Sequence, residues 1–246
     1  VNIHSLIQLL VIIEECRLAK DVVAELELVL RSYKFDFYGL LKQTRPNIDV
    51  TNFMLAGRWP DQWPLTYVRK RYMLVDPVAR YATRAQRPFR WRDAVDASKT
   101  DPLWRRMEQM MADARANGLV DGYIFPIHGR SGLLGTMTIG GEAVDLSPTE
   151  LCLFDAVARK AFWRLLELRN EVKSFEEPGK AELKLTKREM EVLSHLADGL
   201  TSIEISRLLA ISSHTVDWYM NSIQDKLKAK NRQHIVAIAF RNGLIP

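Results

Sequence analysis

Apolar positions recur along this chain with two different periods, and the changes of period mark its elements. From Ile3 to Cys16 and from Asp21 to Tyr33 the spacing is helical, with Val22, Val23, Leu26, Val29 and Leu30 on one face. Phe37 to Leu41 and Thr51 to Leu55 read as strands, with Arg45-Pro46-Asn47 as the intervening turn. Asp101 is a candidate cap for a helix from Pro102 to Ala116, stopped by Gly118. Gly122 to Ile127 and Leu133 to Ile139 are further strands around a loop at His128–Gly132. Ser147, Pro148 and Glu150 form the start signal of a long helix that runs to about Glu171. Its broad apolar face must cover a sheet, and the remainder is free to pair two copies. This order predicts an α+β fold, an N-terminal α-β-α sandwich with an antiparallel sheet.

Beyond residue 182 only the helical period persists, which predicts an all-α domain of four helices. Thr186 and Glu189 have the spacing of a capping box, followed by Met190, Leu193, Leu196 and Ala197 as a buried stripe that ends at Gly199. Thr201, with Ser202 as a rival cap, starts a short helix with Ile205, Leu208 and Leu209 on one face. Ile211 and Ser212-Ser213 make a turn. Thr215 to Leu227 follows, with Val216, Met220, Ile223 and Leu227 inward, and then a helix from about Arg232 to Phe240. Two short helices joined by a tight turn place the polar face of the second in a major groove. Ser213, His214, Asp217, Trp218, Asn221, Ser222 and Asp225 are the exposed positions, and the hydroxyls of Thr201, Ser212 and Thr215 lie at the helix starts. Lys226, Lys228, Lys230 and Arg232 form a basic run suited to phosphate. A helical bundle with a solvated charged face fits the same spacing.

The polar stretch 172–182, with Pro178-Gly179, reads as a linker between domains at 1–171 and 183–246. The chain of 246 residues suffices for two modest domains. Its net charge is +5, but residues 181–246 hold nine basic and seven acidic residues, so the helical domain carries only +2. A single copy would hold DNA weakly, and two copies on two half-sites are the natural remedy. Cys16 and Cys152 sit in apolar helical surroundings and read as buried thiols in a reducing compartment. No Cys/His cluster has metal-ligand spacing. Leu6 to Ile13 is too short to span a bilayer and lacks the basic start of a signal peptide, so a cytoplasmic location is expected. The opening on Val1 suggests that some residues precede it.

The stretch Arg58 to Pro77 concentrates Trp59, Trp63, Tyr67 and Tyr72 beside Asp76-Pro77, with Phe89 and Trp91 soon after. Trp63 and Tyr67 are four apart and share a helix face. Indole N–H, phenol O–H and a carboxylate supply two donors and one acceptor, complementary to a ligand with two carbonyls and one amide. From the residues alone, a core aromatic cluster with a capping Asp is the simpler reading.

The C-terminal motifs resemble the DNA-binding domain of LuxR-type regulators: Leu185-Thr186, Arg188-Glu189, Val192-Leu193, Gly199, Glu204-Ile205, Ile211-Ser212, Thr215-Val216, Lys226-Leu227 and Asn231-Arg232 fall in register. Leu200, Ser206 and Asp217 depart from the usual pattern, and Asp217 bears on the operator sequence. Residues 1–170 resemble the acyl-homoserine-lactone-binding domain of the same quorum-sensing regulators, through Trp63, Tyr67, Asp76-Pro77 and Trp91 at the family's spacing. The resemblance implies an N-acyl-homoserine lactone as signal ligand and no cofactor. Trp63 would donate to the lactone carbonyl, Tyr67 to the acyl carbonyl, and Asp76 would accept the amide N–H. Trp91 and Phe89 would wall the ring, Gly122 would leave room beside it, and Thr138 would offer a hydroxyl. Trp59 stands where a tyrosine or phenylalanine is usual. Met54, Leu55, Tyr72, Phe125, Leu133 and Met137 are acyl-chain candidates. The resemblance further implies a homodimer on an inverted repeat of double-stranded DNA, RNA polymerase as a candidate partner, and no enzymatic activity. Two other readings stay open: a dimeric regulator that is ligand-independent or takes a different ligand, and a lactone hydrolase using His128 with Asp121 or Asp76.

Overall fold

A computed structural model describes residues 3–43, 53–129, 132–172 and 185–245. The expected turn at 45–47 and most of the expected linker lie outside the described residues. The chain divides into two units, one reaching to Val172 and the other containing the C-terminal helices.

In the first unit, α1 (Ile3–Glu15) and α2 (Ala19–Ser32) are followed by β1 (Phe37–Lys42) and β2 (Met54–Arg58). Then come α3 (Trp63–Arg69), a 3-10 turn (Tyr72–Leu74), α4 (Pro77–Ala82), β3 (Phe89–Arg90), α5 (Trp91–Ala97) and α6 (Trp104–Ala116). The hairpin β4 (Asp121–Gly129) and β5 (Gly132–Gly141) and the long helix α7 (Pro148–Leu168) complete the unit. Among the described residues the strands form one sheet in the order β2-β1-β5-β4-β3. Its pairings β1–β2, β1–β5 and β3–β4 are antiparallel, with Gly39 opposite both Gly57 and Thr138.

Alternation along the strands sorts the two faces of the sheet. Tyr38 donates to Glu27 on α2, and Phe125 packs its ring against Phe154 on α7, 5.9 Å between centroids. That face is closed by α1, α2 and α7, which bury Leu6, Leu9, Ile13, Leu26, Leu30, Phe162 and Leu165 completely. Gly39, Gly122, Thr138 and Gly140 look the other way, toward the segment from Trp59 to Ala116. The acyl-chain candidates Phe125, Leu133 and Met137 therefore lie on the α7 face, since a Cβ at Gly135, between Leu133 and Met137 in the same alternation, would strike Phe162.

Several boundaries differ from expectation for local reasons. The strand expected to start at Thr51 runs from Met54 to Arg58, after a register shift at Leu40/Leu41. Asp101 does bond the chain ahead, accepting from Leu103 N at 2.8 Å, but α6 itself starts at Trp104. His128 is on β4, not in a turn, and its Nε2 lies 2.8 Å from the Ala85 carbonyl. Cys152 is exposed and Cys16 only partly covered, so the buried-thiol reading does not hold. The Ser147–Glu150 capping box and Pro148 form as their sequence dictates.

The second unit contains α8 (Lys187–Ala197), α9 (Ser202–Leu209), α10 (Ser213–Leu227) and α11 (Arg232–Arg241). Val192, Leu193, Leu196, Ile205, Val216, Met220, Ile223, Leu227, Ile235 and Ala239 form its core. Ala197 and Leu208, expected inside, are exposed; Val192, Glu189 and Ser206 are buried instead. The actual buried stripe of α8 leads with Glu189 because that carboxylate has partners waiting inside, described below.

Candidate functional site

Pro64 in its first turn helps to start α3, and the helical period brings Trp63 and Tyr67 together, 5.7 Å between ring centroids. Arg71 then adopts a left-handed conformation, φ +52°, which folds the chain back and lays Tyr72 against Trp63 at an interplanar angle of 26°. Tyr72 is held there by its hydroxyl, which donates to Asp113 Oδ2 at 2.5 Å, an oxygen that also receives Lys70 Nζ at 2.5 Å. Val75, Met107, Met110 and Leu119 fill in around these rings, and Phe37, Trp59, Trp91 and Trp104 border them.

Asp76 faces this cluster and uses its two oxygens differently. Oδ1 caps α4, accepting from Val78 N at 2.8 Å and Ala79 N at 3.1 Å. Oδ2 accepts the Tyr67 hydroxyl at 2.9 Å. The residue as a whole is only partly covered, yet desolvation pushes its carboxyl above the ordinary range, against the pull of those hydrogen bonds. Burial, with Asp76 beside it, likewise raises the Tyr67 phenol.

Trp91 begins α5 and packs against the sheet at Gly122 and Gly140. A Cβ at Gly140 would come within 2.2 Å of its ring, and one at Gly122 within 2.7 Å of the ring and 2.2 Å of the Ile139 carbonyl. Gly39 makes the same kind of seat for Trp59, at 2.6 Å. The strand edge behind Trp91 is fixed by the buried Arg90, whose Nε donates to Asp121 at 2.6 Å, whose other nitrogen pairs with Asp145, and which sits over the Tyr123 ring. Phe89 belongs to a neighbouring cluster with Ala82, Ala94 and Ile124, its ring 4.7 Å from Tyr81.

In the second unit, Thr186 and Glu189 close a capping box, with Thr186 N donating to Glu189 Oε2 at 2.6 Å. The same buried carboxylate takes Ser222 Oγ at 2.6 Å and Lys226 Nζ at 2.7 Å, tying α8 to α10. Burial alone would raise this carboxyl, but Lys226, Ser222 and Thr186 reverse the sign and hold it at about 2. Thr201 caps α9 with Glu204, and Ser212 caps α10, accepting from Thr215 N at 3.0 Å. Between them Ala210 turns the chain at φ +53°. Ser213, His214, Asp217, Trp218 and Asn221 stand exposed along the first turns of α10, Trp218 at 62%. Asp217 accepts the Ser202 hydroxyl at 2.6 Å, and Arg232 approaches that same hydroxyl at 3.4 Å.

Residues 19–165 match the autoinducer binding domain family, and residues 183–239 match the bacterial regulatory proteins of the luxR family. The chain belongs to the luxR family. It is a DNA-binding transcriptional regulator that joins an autoinducer-binding domain to a helix-turn-helix unit. It is 33% identical to the HTH-type quorum sensing-dependent transcriptional regulator RpaR of Rhodopseudomonas palustris, over 92% of this chain and 89% of that one. Two solved structures of SdiA share the fold at 24% identity and a TM-score of 0.59: the Escherichia coli protein, covering 97% of both chains, and a complex with octanoyl-rac-glycerol, covering 97% of this chain and 94% of that one.

Trp63, Tyr67, Asp76, Trp91 and Trp59 border one cluster, and Thr138 faces the same side of the sheet. Phe89 does not line that cluster, because its ring turns toward Tyr81. The room at Gly122 is filled by the Trp91 indole. Met54 is 42% exposed. In the DNA-binding unit Ser222 and Lys226, expected to face DNA, are engaged with Glu189. Arg90, Asp113 and Ala210 carry no signal in local spacing: the first two act through partners far away in the chain, and the third defies the usual preference for glycine.

Proposed function

We propose that this regulator is controlled by an N-acyl-homoserine lactone bound among Trp59, Trp63, Tyr67, Asp76 and Trp91, with Thr138 on the adjoining strand. Residues 1–171 form the ligand-binding and dimerisation domain, 172–182 the linker and 183–246 the DNA-binding domain. The Tyr67–Asp76 hydrogen bond carries the reading. It joins the donor and the acceptor that an amide-carbonyl pair requires, in a cluster of rings that supplies the apolar wall. A ligand amide N–H takes the place of the Tyr67 hydroxyl on Asp76 Oδ2, and the released hydroxyl turns to the acyl carbonyl. The cap on α4 through Oδ1 is untouched by this exchange. Ligand bound only by the folded unit stabilises it by mass action.

Two copies then bind an inverted repeat in double-stranded DNA. Ser213, His214, Asp217, Trp218 and Asn221 read it, Thr201, Ser212 and Thr215 sit at the helix starts nearest the backbone, and Lys228, Lys230 and Arg232 meet phosphate. The regulator works in the cytoplasm and has no catalytic step; His128 is bound to the Ala85 carbonyl in the manner of a structural histidine.

Thermal melting with a panel of straight-chain N-acyl-homoserine lactones tests the reading. One chain length at about one hundred times its Kd stabilises the protein by about 2.7 kcal/mol, which raises the melting temperature by about 5–10 °C. Asp76→Asn, which keeps a capping side chain, removes most of that rise. A flat panel from well-folded protein rejects the lactone.

A further inference from the structure

Among the described residues, two buried side-chain polar atoms lack a hydrogen-bond partner, Tyr33 Oη and Trp91 Nε1. Tyr33 has a ready acceptor, since Glu150 stands beside it and, after burial, helps to push its hydroxyl up to about 12. Trp91 Nε1 makes no hydrogen bond to the carbonyls of Ile139 and Asp121 that flank its glycine seats. An indole N–H is a donor only, its proton cannot rotate to find an acceptor, and native proteins seldom leave one buried and unpaired. Nor can the ring itself swing, because the bare backbones of Gly122 and Gly140 hold it so closely that a Cβ at either would overlap it. The chain has shaped a sheet surface around an indole where a phenyl ring would fill space without an unpaired donor. The same ring borders the cluster of Trp63 and Tyr72.

We infer that Trp91 Nε1–H is a specificity-determining donor that hydrogen-bonds an oxygen of the ligand's head group, beyond serving as its wall. This rests on the lactone reading above. Tyr67 already gives its single hydroxyl proton to Asp76 in the absence of ligand, whereas the buried Trp91 donor has no hydrogen-bond partner until ligand arrives. The partner is an ester oxygen of the ring, and a ligand of equal shape without one leaves the donor buried and unsatisfied.

The test compares the N-acyl-homoserine lactones from butanoyl to dodecanoyl with the matching N-acyl-cyclopentylamines, which keep the amide and acyl chain but lack the ring oxygens. Titration calorimetry on the full chain is run with wild type and Trp91→Phe. The wild type prefers the lactone, and Trp91→Phe lowers lactone affinity by about tenfold while leaving the cyclopentylamine unchanged or improved. Equal losses for both ligands overturn the inference and leave Trp91 a wall. A wild type that binds cyclopentylamine and lactone equally also overturns it, while the lactone-class pocket stands. A wild type that binds neither rejects the lactone reading and this inference with it. Should Trp91→Phe not fold, the assigned Trp91 indole 15N–H resonance of the wild type decides: it moves downfield with the lactone and stays put with the cyclopentylamine, or the inference fails.

Discussion

Asp76 shows how much one side chain does in this protein: one oxygen starts a helix, the other accepts the Tyr67 hydroxyl at the aromatic cluster. Its raised carboxyl sets two opposite pH trends. The contribution of Asp76 to the stability of the ligand-free protein is fully present below the ordinary carboxylate range and is lost as pH rises through its higher folded value. Ligand does the reverse, because an amide N–H favours the charged carboxylate, so ligand affinity climbs over that rise. Melting curves with and without lactone from about pH 4 to 7 diverge as pH rises, and Asp76→Asn flattens both trends. The seat of Trp91 tolerates no added atom. Gly122→Ala forces a methyl into the indole and the Ile139 carbonyl and lowers stability by about 2 kcal/mol or more, measured by urea denaturation. Trp63, Tyr67 and Asp76 were legible because helical period and the Asp-Pro start signal are local properties of sequence. The Tyr72–Asp113 bond and the unpaired Trp91 donor depend on elements distant in the chain, which spacing cannot reveal.

Among the elements, the capping boxes at Ser147 and Thr186 were readable as written, as were Thr201 as a cap candidate and the inward positions of α10, whereas the Glu204 that closes a box on Thr201 was not anticipated. What misled was treating hydrophobicity as the sole ticket inward. Leu208 stands outside while Glu189 is buried, because α10 offers that carboxylate a hydroxyl and an ammonium. Removing Glu189 leaves Lys226 and Ser222 without their acceptor. Glu189→Ala costs the DNA-binding unit about 2–3 kcal/mol, read as a lower melting midpoint. Because its carboxyl lies below the usual value, the stabilisation is complete above about pH 4.5 and disappears as pH falls toward about 2. Acid titration of the wild type shows that loss, and the Glu189→Ala variant lacks it.

Across the whole molecule, the sequence indicated both folds and their order, yet overestimated the cations free to meet DNA. With Lys226 held by Glu189 and residues 181–246 at only +2, the phosphate contacts proposed for each copy come down to Lys228, Lys230 and Arg232 of the basic run. In the proposed dimer these cations neutralise about six phosphates, so log K against log salt is expected to have a slope of about −5. Lys230→Ala reduces that slope by about 1 for each copy bound. Lys226→Ala leaves the slope nearly unchanged and lowers the melting point instead, which separates the two lysines by fluorescence anisotropy and melting.

The turn between α9 and α10 holds an alanine at φ +53°, ψ +45°. A side-chain methyl in that conformation costs about 1 kcal/mol relative to glycine, and every alanine codon becomes a glycine codon by a single base change. Ala210→Gly therefore raises the melting midpoint of the DNA-binding unit without touching a residue proposed to meet DNA. A library screened for heat-resistant reporters built on this regulator would recover that substitution early, from the bend that separates its two helix-turn-helix arms.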